Sequence, residues 1–233
     1  MEIYKNLLYF DIETTSEYHN LTDFEKLDKV GYKLFVKKHQ RKIISDKLWI
    51  KDVETEYIEK APLIAEYGKI VCISFGYFYK DEFVLKSYTG DEKELLESSK
   101  NVFNSCMNNS YRLCGYNIKN FDIPFINKHM LKYNINTPRN ISFIKMEGGA
   151  KKAWDYDCID LFEIWQATNF SNNASFDEVC YLLNVKSPKQ ELSGDKVYDT
   201  FWNKNDINKI ARYCESDVNS TMLCAEKIFK AKN

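Results

Sequence analysis

The chain has 233 residues, of which 44% are hydrophobic and 15% aromatic, and a formal net charge of −1. That is apolar material for one large α/β core or two small ones, and the near-neutral balance excludes a global basic field that would advertise nucleic acid. No run of about 18 apolar residues calls for a membrane helix, and the N-terminus, with Glu2 and Lys5, lacks the pattern of a secretory signal. The expectation is a soluble, intracellular, cytoplasmic protein with no membrane partner. Seven cysteines never form a C-x-x-C pair, and only His19, His39 and His129 are available beside them. Buried reduced thiols are therefore expected in place of disulfides or a zinc site.

In chain order, Leu7-Leu8-Tyr9-Phe10 reads as a strand buried on both faces. Asp11 and Glu13 interrupt it. Residues two apart in a strand share a face, so both acids are placed on one side, ~6–7 Å apart. A divalent cation would relieve their repulsion and desolvation; the other reading is that the strand simply runs out into solvent. Residues 17–60 change character and read as a largely helical insertion. Phe24, Leu27, Val30 and Leu34 recur at helical spacing, followed by a basic cluster of Lys33, Lys37, Lys38, His39, Arg41 and Lys42. Such a cluster is either a phosphate contact or a solvated helix face.

Residues 69–79 predict a second strand and 83–88 a third, joined by a turn at Asp81-Glu82. A helix follows Gly90-Asp91 to about residue 107, then a fourth strand over 111–116. Residues 121–133 predict a helix with Pro124 in its first turn. A short strand is expected at 141–146 and helices at 159–168 and 176–183, with Ser175 capping the latter. Residues 206–230 form a long closing helix with an apolar stripe through Ile210, Cys214, Val218 and Met222. Nothing resembling a linker divides the chain, so one domain over 1–233 is expected, carrying the insertion.

Two further acids stand in suggestive surroundings. Asp122, just past a strand and two residues before Pro124, reads locally as a helix N-cap, although strand ends are also where α/β sheets bind ligands. Asp217 shares a helix face with Tyr213, four residues earlier, at the edge of the apolar stripe. This pair is either a single hydrogen bond or part of a site.

The ordered set Asp11-x-Glu13, Asn117-x-x-x-Phe121-Asp122 and Tyr213-x-x-x-Asp217 resembles the DEDD superfamily of 3′-5′ exonucleases in its tyrosine-bearing branch, with Arg212 where the histidine branch would carry its histidine. Gly68-Lys69-Ile70-Val71-Cys72-Ile73-Ser74, Gly115-Tyr116-Asn117, Ser187-Pro188-Lys189 with Glu191-Leu192-Ser193-Gly194, and Ala211 to Val218 are similar to exonucleases related to the proofreading domain of family-B DNA polymerases. The resemblance implies an α/β, ribonuclease H-like fold with a central mixed five-stranded sheet flanked by helices. It also implies two divalent ions, Mg²⁺ or Mn²⁺, on Asp11, Glu13, Asp122 and Asp217, with Tyr213 orienting the attacking water. Thr14, Thr15, Asn117, Phe121 and Lys189 are candidate substrate contacts. Asp160 is expected to cap a helix, and Asp157 to be a spare acid. The implied activity is hydrolysis from the 3′ end of single-stranded nucleic acid, DNA before RNA, by a free-standing nuclease or one supplied to a polymerase or another replication or repair protein. An exoribonuclease and a retired nucleic-acid-binding module are the alternatives.

Overall fold

The computed structural model describes residues 2–45, 51–167, 173–188 and 192–231. Five strands form one mixed sheet, β1 (Leu7–Ser16), β2 (Gly68–Tyr79), β3 (Glu82–Thr89), β4 (Arg112–Gly115) and β5 (Cys158–Asp160), in the order β3-β2-β1-β4-β5. β1 runs antiparallel to β2 and parallel to β4, and β4 runs parallel to β5. The β2–β3 hairpin turns at Lys80 and Asp81, both with positive φ, the pair of conformations that a tight two-residue hairpin needs.

The period of two along β1 sorts its side chains onto the two faces. Leu8, Phe10 and Ile12 join the core under α4 (Glu92–Asn108) and α5 (Asp122–Lys132), with Phe75, Leu96, Phe103 and Ile126. Leu7 and Tyr9 join the core under α8 (Ile207–Lys230), with Cys114, Val218 and Met222. By the same alternation Asp11 and Glu13 belong on the α8 face. Gly76, opposite Tyr9, lets α8 approach: a Cβ there would lie 2.8 Å from Val218 Cγ1 and still closer to the Phe83 ring.

β1 pairs with β4 only from Leu7 to Tyr9. Beyond that, β4 turns away through Gly115 to Asn117, which has φ +63°. Gly115 sits so close to Ile118 and to the Phe10 carbonyl that no side chain fits. The second half of β1 is thereby left without a parallel neighbour, and a crevice opens over Asp11 at the carboxyl end of the parallel strands, where open α/β sheets bind ligands.

Two expectations are corrected. Residues 141–146 contribute only an isolated bridge, Ile144 to Ala150, and the fifth strand is instead Cys158–Asp160. It immediately precedes α6 (Leu161–Gln166), so the helical pattern of 159–168 masked it. Within 17–60 the helices are α1 (Leu21–Leu27), α2 (Lys29–Ser45) and α3 (Val53–Lys60), but the apolar stripe is out of phase with expectation. Leu27, Val30 and Leu34 are exposed, while Leu21, Phe24, Phe35 and Tyr57 form the local core. The basic cluster is partly spent inside: His39 is buried against Glu56, and Lys42 Nζ lies 3.2 Å from Glu56 Oε1. α7 (Phe176–Leu182) carries the expected Ser175 cap, closed into a capping box by Glu178. All seven cysteines are buried and unpaired by disulfides. Among the described residues no helix is long and apolar enough to cross a membrane.

Candidate active site

The crevice beside β1 is lined by Asp11, Ile12, Glu13, Tyr116, Asn117, Phe121, Asp122, Phe176, Tyr213, Asp217 and Thr221 and encloses about 210 Å³. It is smaller than three other clefts, the largest of about 820 Å³ beside Arg112 and Arg139. Its chemistry sets it apart, because all four sequence-predicted acids and the tyrosine meet there.

Each acid arrives from a different constraint. Asp11 and Glu13 project from β1 toward α8. A register shift in the β1–β2 ladder falls just after Glu13, where such irregularities re-aim side chains. Asp122 does not cap its own helix: Phe121 is the N-cap residue, and Asp122 Oδ1 accepts a hydrogen bond from the Ile12 N–H at 3.1 Å. That N–H lies where β4 has departed, so the carboxylate substitutes for a missing strand partner and is buried, at 2% exposure. Tyr213 and Asp217 sit one turn apart on α8, the phenol facing the carboxylate.

Burial and mutual repulsion dominate the electrostatics. Burial, then Asp217, Asp122 and Glu13, hold Asp11 well above the usual carboxylate range. Burial, Asp217, Cys72 and Asp122 do the same to Glu13. Burial pushes Asp122 up to about 7, against the pull of its backbone donors. The Tyr213 phenol is raised by burial and then by Asp217, Glu13 and Asp11. Glu13 is only 7% exposed, yet accepts no hydrogen bond from a described residue. Neither lysine nor arginine lines the crevice among the described residues. Carboxylate oxygens gathered in one crevice, from Asp11, Glu13, Asp122 and Asp217, fit hard divalent cations, which take carboxylate oxygens and keep room for water and phosphate.

The candidate substrate contacts divide. Asn117 and Phe121 line the crevice, whereas Thr14 and Thr15 do not. The Thr14 hydroxyl donates to the Pro62 carbonyl at 2.7 Å, and Thr15 is fully buried. Lys189 lies outside the described residues. Arg212 is exposed, away from the crevice. Asp160 accepts from the N–H groups of Asn117, Lys119 and Phe162 at 2.7, 3.1 and 3.0 Å, so it braces the loop that carries Asn117 and caps α6. Asp157 is exposed and paired with Arg112.

Sequence reasoning missed the aromatic wall and one sulfur. The Tyr116 ring packs against Phe176 and Phe162, centroids 4.8 and 5.6 Å apart. These residues are dispersed in sequence and carry no spacing signal. Cys214 belongs to the buried apolar stripe, packed with Ile210, Val71 and Cys72, and its Sγ in addition lies 3.5 Å from Asp11 Oδ2. Its place three residues before Asp217, on the same helix face, was the available signal.

A family described as "predicted 3′-5′ exonuclease related to the exonuclease domain of PolB" matches residues 63–229. The match takes in Asp122, Tyr213 and Asp217 and leaves β1, with Asp11 and Glu13, outside it. The chain is also 24% identical over 165 residues to a DNA polymerase of Archaeoglobus fulgidus, an alignment covering 70% of this chain and 20% of the polymerase. It therefore spans about a fifth of that relative's length. With most of its length matched, and with a mixed five-stranded sheet between helices, the chain belongs to the family of predicted 3′-5′ exonucleases related to the exonuclease domain of PolB.

Proposed function

We propose that the protein is a metal-dependent 3′-5′ exonuclease that hydrolyses phosphodiester bonds at single-stranded 3′ ends, DNA before RNA. The observation that carries this is the meeting of Asp11, Glu13, Asp122 and Asp217 around one crevice with the Tyr213 phenol beside them. Asp11, Glu13, Asp122 and Asp217 would hold two Mg²⁺ or Mn²⁺ ions. When bound, such ions supply positive charge to the phosphoryl oxygens, acidify water and relieve the departing 3′ oxygen.

The chain's own groups then do the positioning. Burial and the neighbouring carboxylates keep the Tyr213 phenol protonated at neutral pH, so its hydroxyl is a donor that orients the attacking water and not a base. The Asp122 carboxylate is held in place by the Ile12 N–H and by its seat at the start of α5. Tyr116, Phe121 and Phe176 offer flat apolar surfaces on which a terminal base can stack, a sequence-tolerant mode of grip. The crevice has no basic rim among the described residues, in keeping with a local hold on one strand end.

A 5′-labelled single-stranded DNA and its RNA counterpart, each incubated with Mg²⁺, Mn²⁺ or EDTA, test this directly. A ladder of 3′-shortened DNA that EDTA abolishes and a 3′ block prevents is the expected result. Preferential cleavage of the RNA would make the enzyme an exoribonuclease, and binding without cleavage would make it a retired binding module.

A further inference from the structure

The sulfur of Cys214 has a place in the acidic cluster that the proposed hydrolysis does not use. Its Sγ lies 3.4 Å from the Asp11 carbonyl oxygen and 3.5 Å from Asp11 Oδ2. One carboxylate oxygen each from Asp11 and Glu13, together with this sulfur, all lie within 4.8 Å of one another. Two donors on one tetrahedral ion, with bonds of about 2.0–2.3 Å, stand about 3.5 Å apart, which the Cys214–Asp11 separation already matches. Glu13 supplies an independent sign of a ligand. It is more than nine-tenths buried, lines the crevice, and has neither a hydrogen bond nor an ion pair among the described residues.

We propose that Cys214 is a third donor beside Asp11 and Glu13, which makes the cluster a mixed sulfur–oxygen site for a thiophilic dication of the Zn²⁺ or Cd²⁺ class. The proposal rests on the reading of Asp11 and Glu13 as metal ligands. Hard cations such as Mg²⁺ ignore sulfur and use the carboxylates alone. A softer ion gains the thiolate as well, and thiolate is the ligand type that selects the Zn²⁺ class. On binding, the Cys214 Sγ–H bond breaks, an Sγ–metal bond forms, and the proton passes to solvent; no electrons are transferred. A soft cation held this way occupies the two acids that the hydrolytic ions need and therefore competes with them. Cys72, opposite Glu13 on β2, is hydrogen-bonded to the Cys214 thiol and stands outside this group of three.

Metal-free full-length protein titrated with Cd²⁺, with ultraviolet sulfur-to-metal charge-transfer absorbance as the readout, tests the assignment. Wild type should show the band at one equivalent. Cys214→Ser should lose it, while Cys72→Ser and Cys180→Ser keep it. Asp11→Asn, which leaves every thiol in place, should weaken Cd²⁺ binding by about tenfold or more. Mg²⁺ binding by calorimetry should change less than about twofold in Cys214→Ser, because oxygen ligands dominate there. Circular dichroism of each variant reports folding, and Asp11→Asn keeps the test decisive if Cys214→Ser does not fold. The proposal is overturned by a wild type without the band, by a band that survives in Cys214→Ser, or by Cd²⁺ affinity that Asp11→Asn leaves unchanged. It is equally overturned if the band follows Cys180, whose sulfur lies 3.9 Å from that of Cys224. Hydrolysis of single-stranded DNA with Mg²⁺ by the same wild-type sample separates the two readings. Cleavage without the band removes the sulfur site alone, and the band without cleavage removes the nuclease alone.

Discussion

Two groups of buried carboxylates in this molecule have opposite fates. Glu92, at the start of α4, is 7% exposed. Its Oε1 accepts from the Ile70 N–H at 2.6 Å and sits 2.8 Å from His129 Nδ1, and its Oε2 accepts from the Tyr133 hydroxyl at 2.8 Å with Lys132 at 3.4 Å. Burial alone would raise it, but these partners outweigh burial and hold it below the ordinary glutamate value. Glu13 and Asp122 are buried to a similar depth and Asp11 partly so, and all three are raised, first by burial and then by acidic neighbours, Asp217 foremost for Asp11 and Glu13 and Asp160 and Asp217 for Asp122. An acid surrounded by donors and cations holds the fold together; a set of acids that repel one another is held by the fold. Burial is common to both, and the supply of donors is what separates structure from site.

Substitutions at the two groups should therefore have opposite signs. Asp11→Asn should lower the rate of DNA hydrolysis on the order of 10³-fold or more, while raising the thermal midpoint of the metal-free protein by removing repulsion. Near-normal turnover in this variant would break the metal assignment. Glu92→Gln should do the reverse, costing about 3 kcal/mol of stability because its partners are left buried, with little effect on turnover per folded molecule. Denaturant unfolding measures this. Tyr213→Phe should lower kcat by about tenfold to a hundredfold through a misplaced water and leave Mn²⁺ affinity intact by calorimetry. An unchanged kcat would remove the positioning role.

The pH profile sharpens the same contrast. Acids raised in the folded state contribute stability that is complete below their unfolded values, near 4, and that is lost as pH rises through the folded ones, about 7 for Asp122. Glu92, lowered in the folded state, contributes stability present above its unfolded value near 4.5 and lost as pH falls through its folded one. The thermal midpoint of metal-free protein should rise as pH drops from about 8 to about 5, then fall below about 4. Saturating Mn²⁺, which binds the ionised acids, should abolish the rise. A midpoint flat across this range without metal would mean that the crevice acids are not repelling one another. At the small end, Asp157→Asn removes one partner of an exposed pair with Arg112. It should change stability by less than about 0.5 kcal/mol and activity not at all.

The legible parts of the sequence were those written in local spacing. Asp11 and Glu13 two apart on a strand, and Tyr213 and Asp217 four apart on a helix, could be placed on shared faces before any fold was known. Asp122 read locally as an N-cap, and only its strand-end place and the family resemblance pointed to the site, because the group it binds, the Ile12 N–H, is 110 positions away and is exposed by the departure of β4. The three residues of β5 were hidden by the helix that follows them. The apolar stripe across α1 and α2 was misread because Leu27 on α1 and Val30 and Leu34 on α2 are apolar without being covered, while Phe35 and His39 face Tyr57 and Glu56.

The order and spacing of the acids, the alternation along β1 and the single long amphipathic helix at the end were determined by the sequence by itself, since each depends only on neighbours along the chain. The tertiary structure alone decided which acids lose their water, which carboxylates find donors, and that the Cys214 sulfur, while packed in the apolar cluster, also reaches Asp11. Those outcomes depend on what packs across from a residue, and no periodicity along one segment encodes the surface of another.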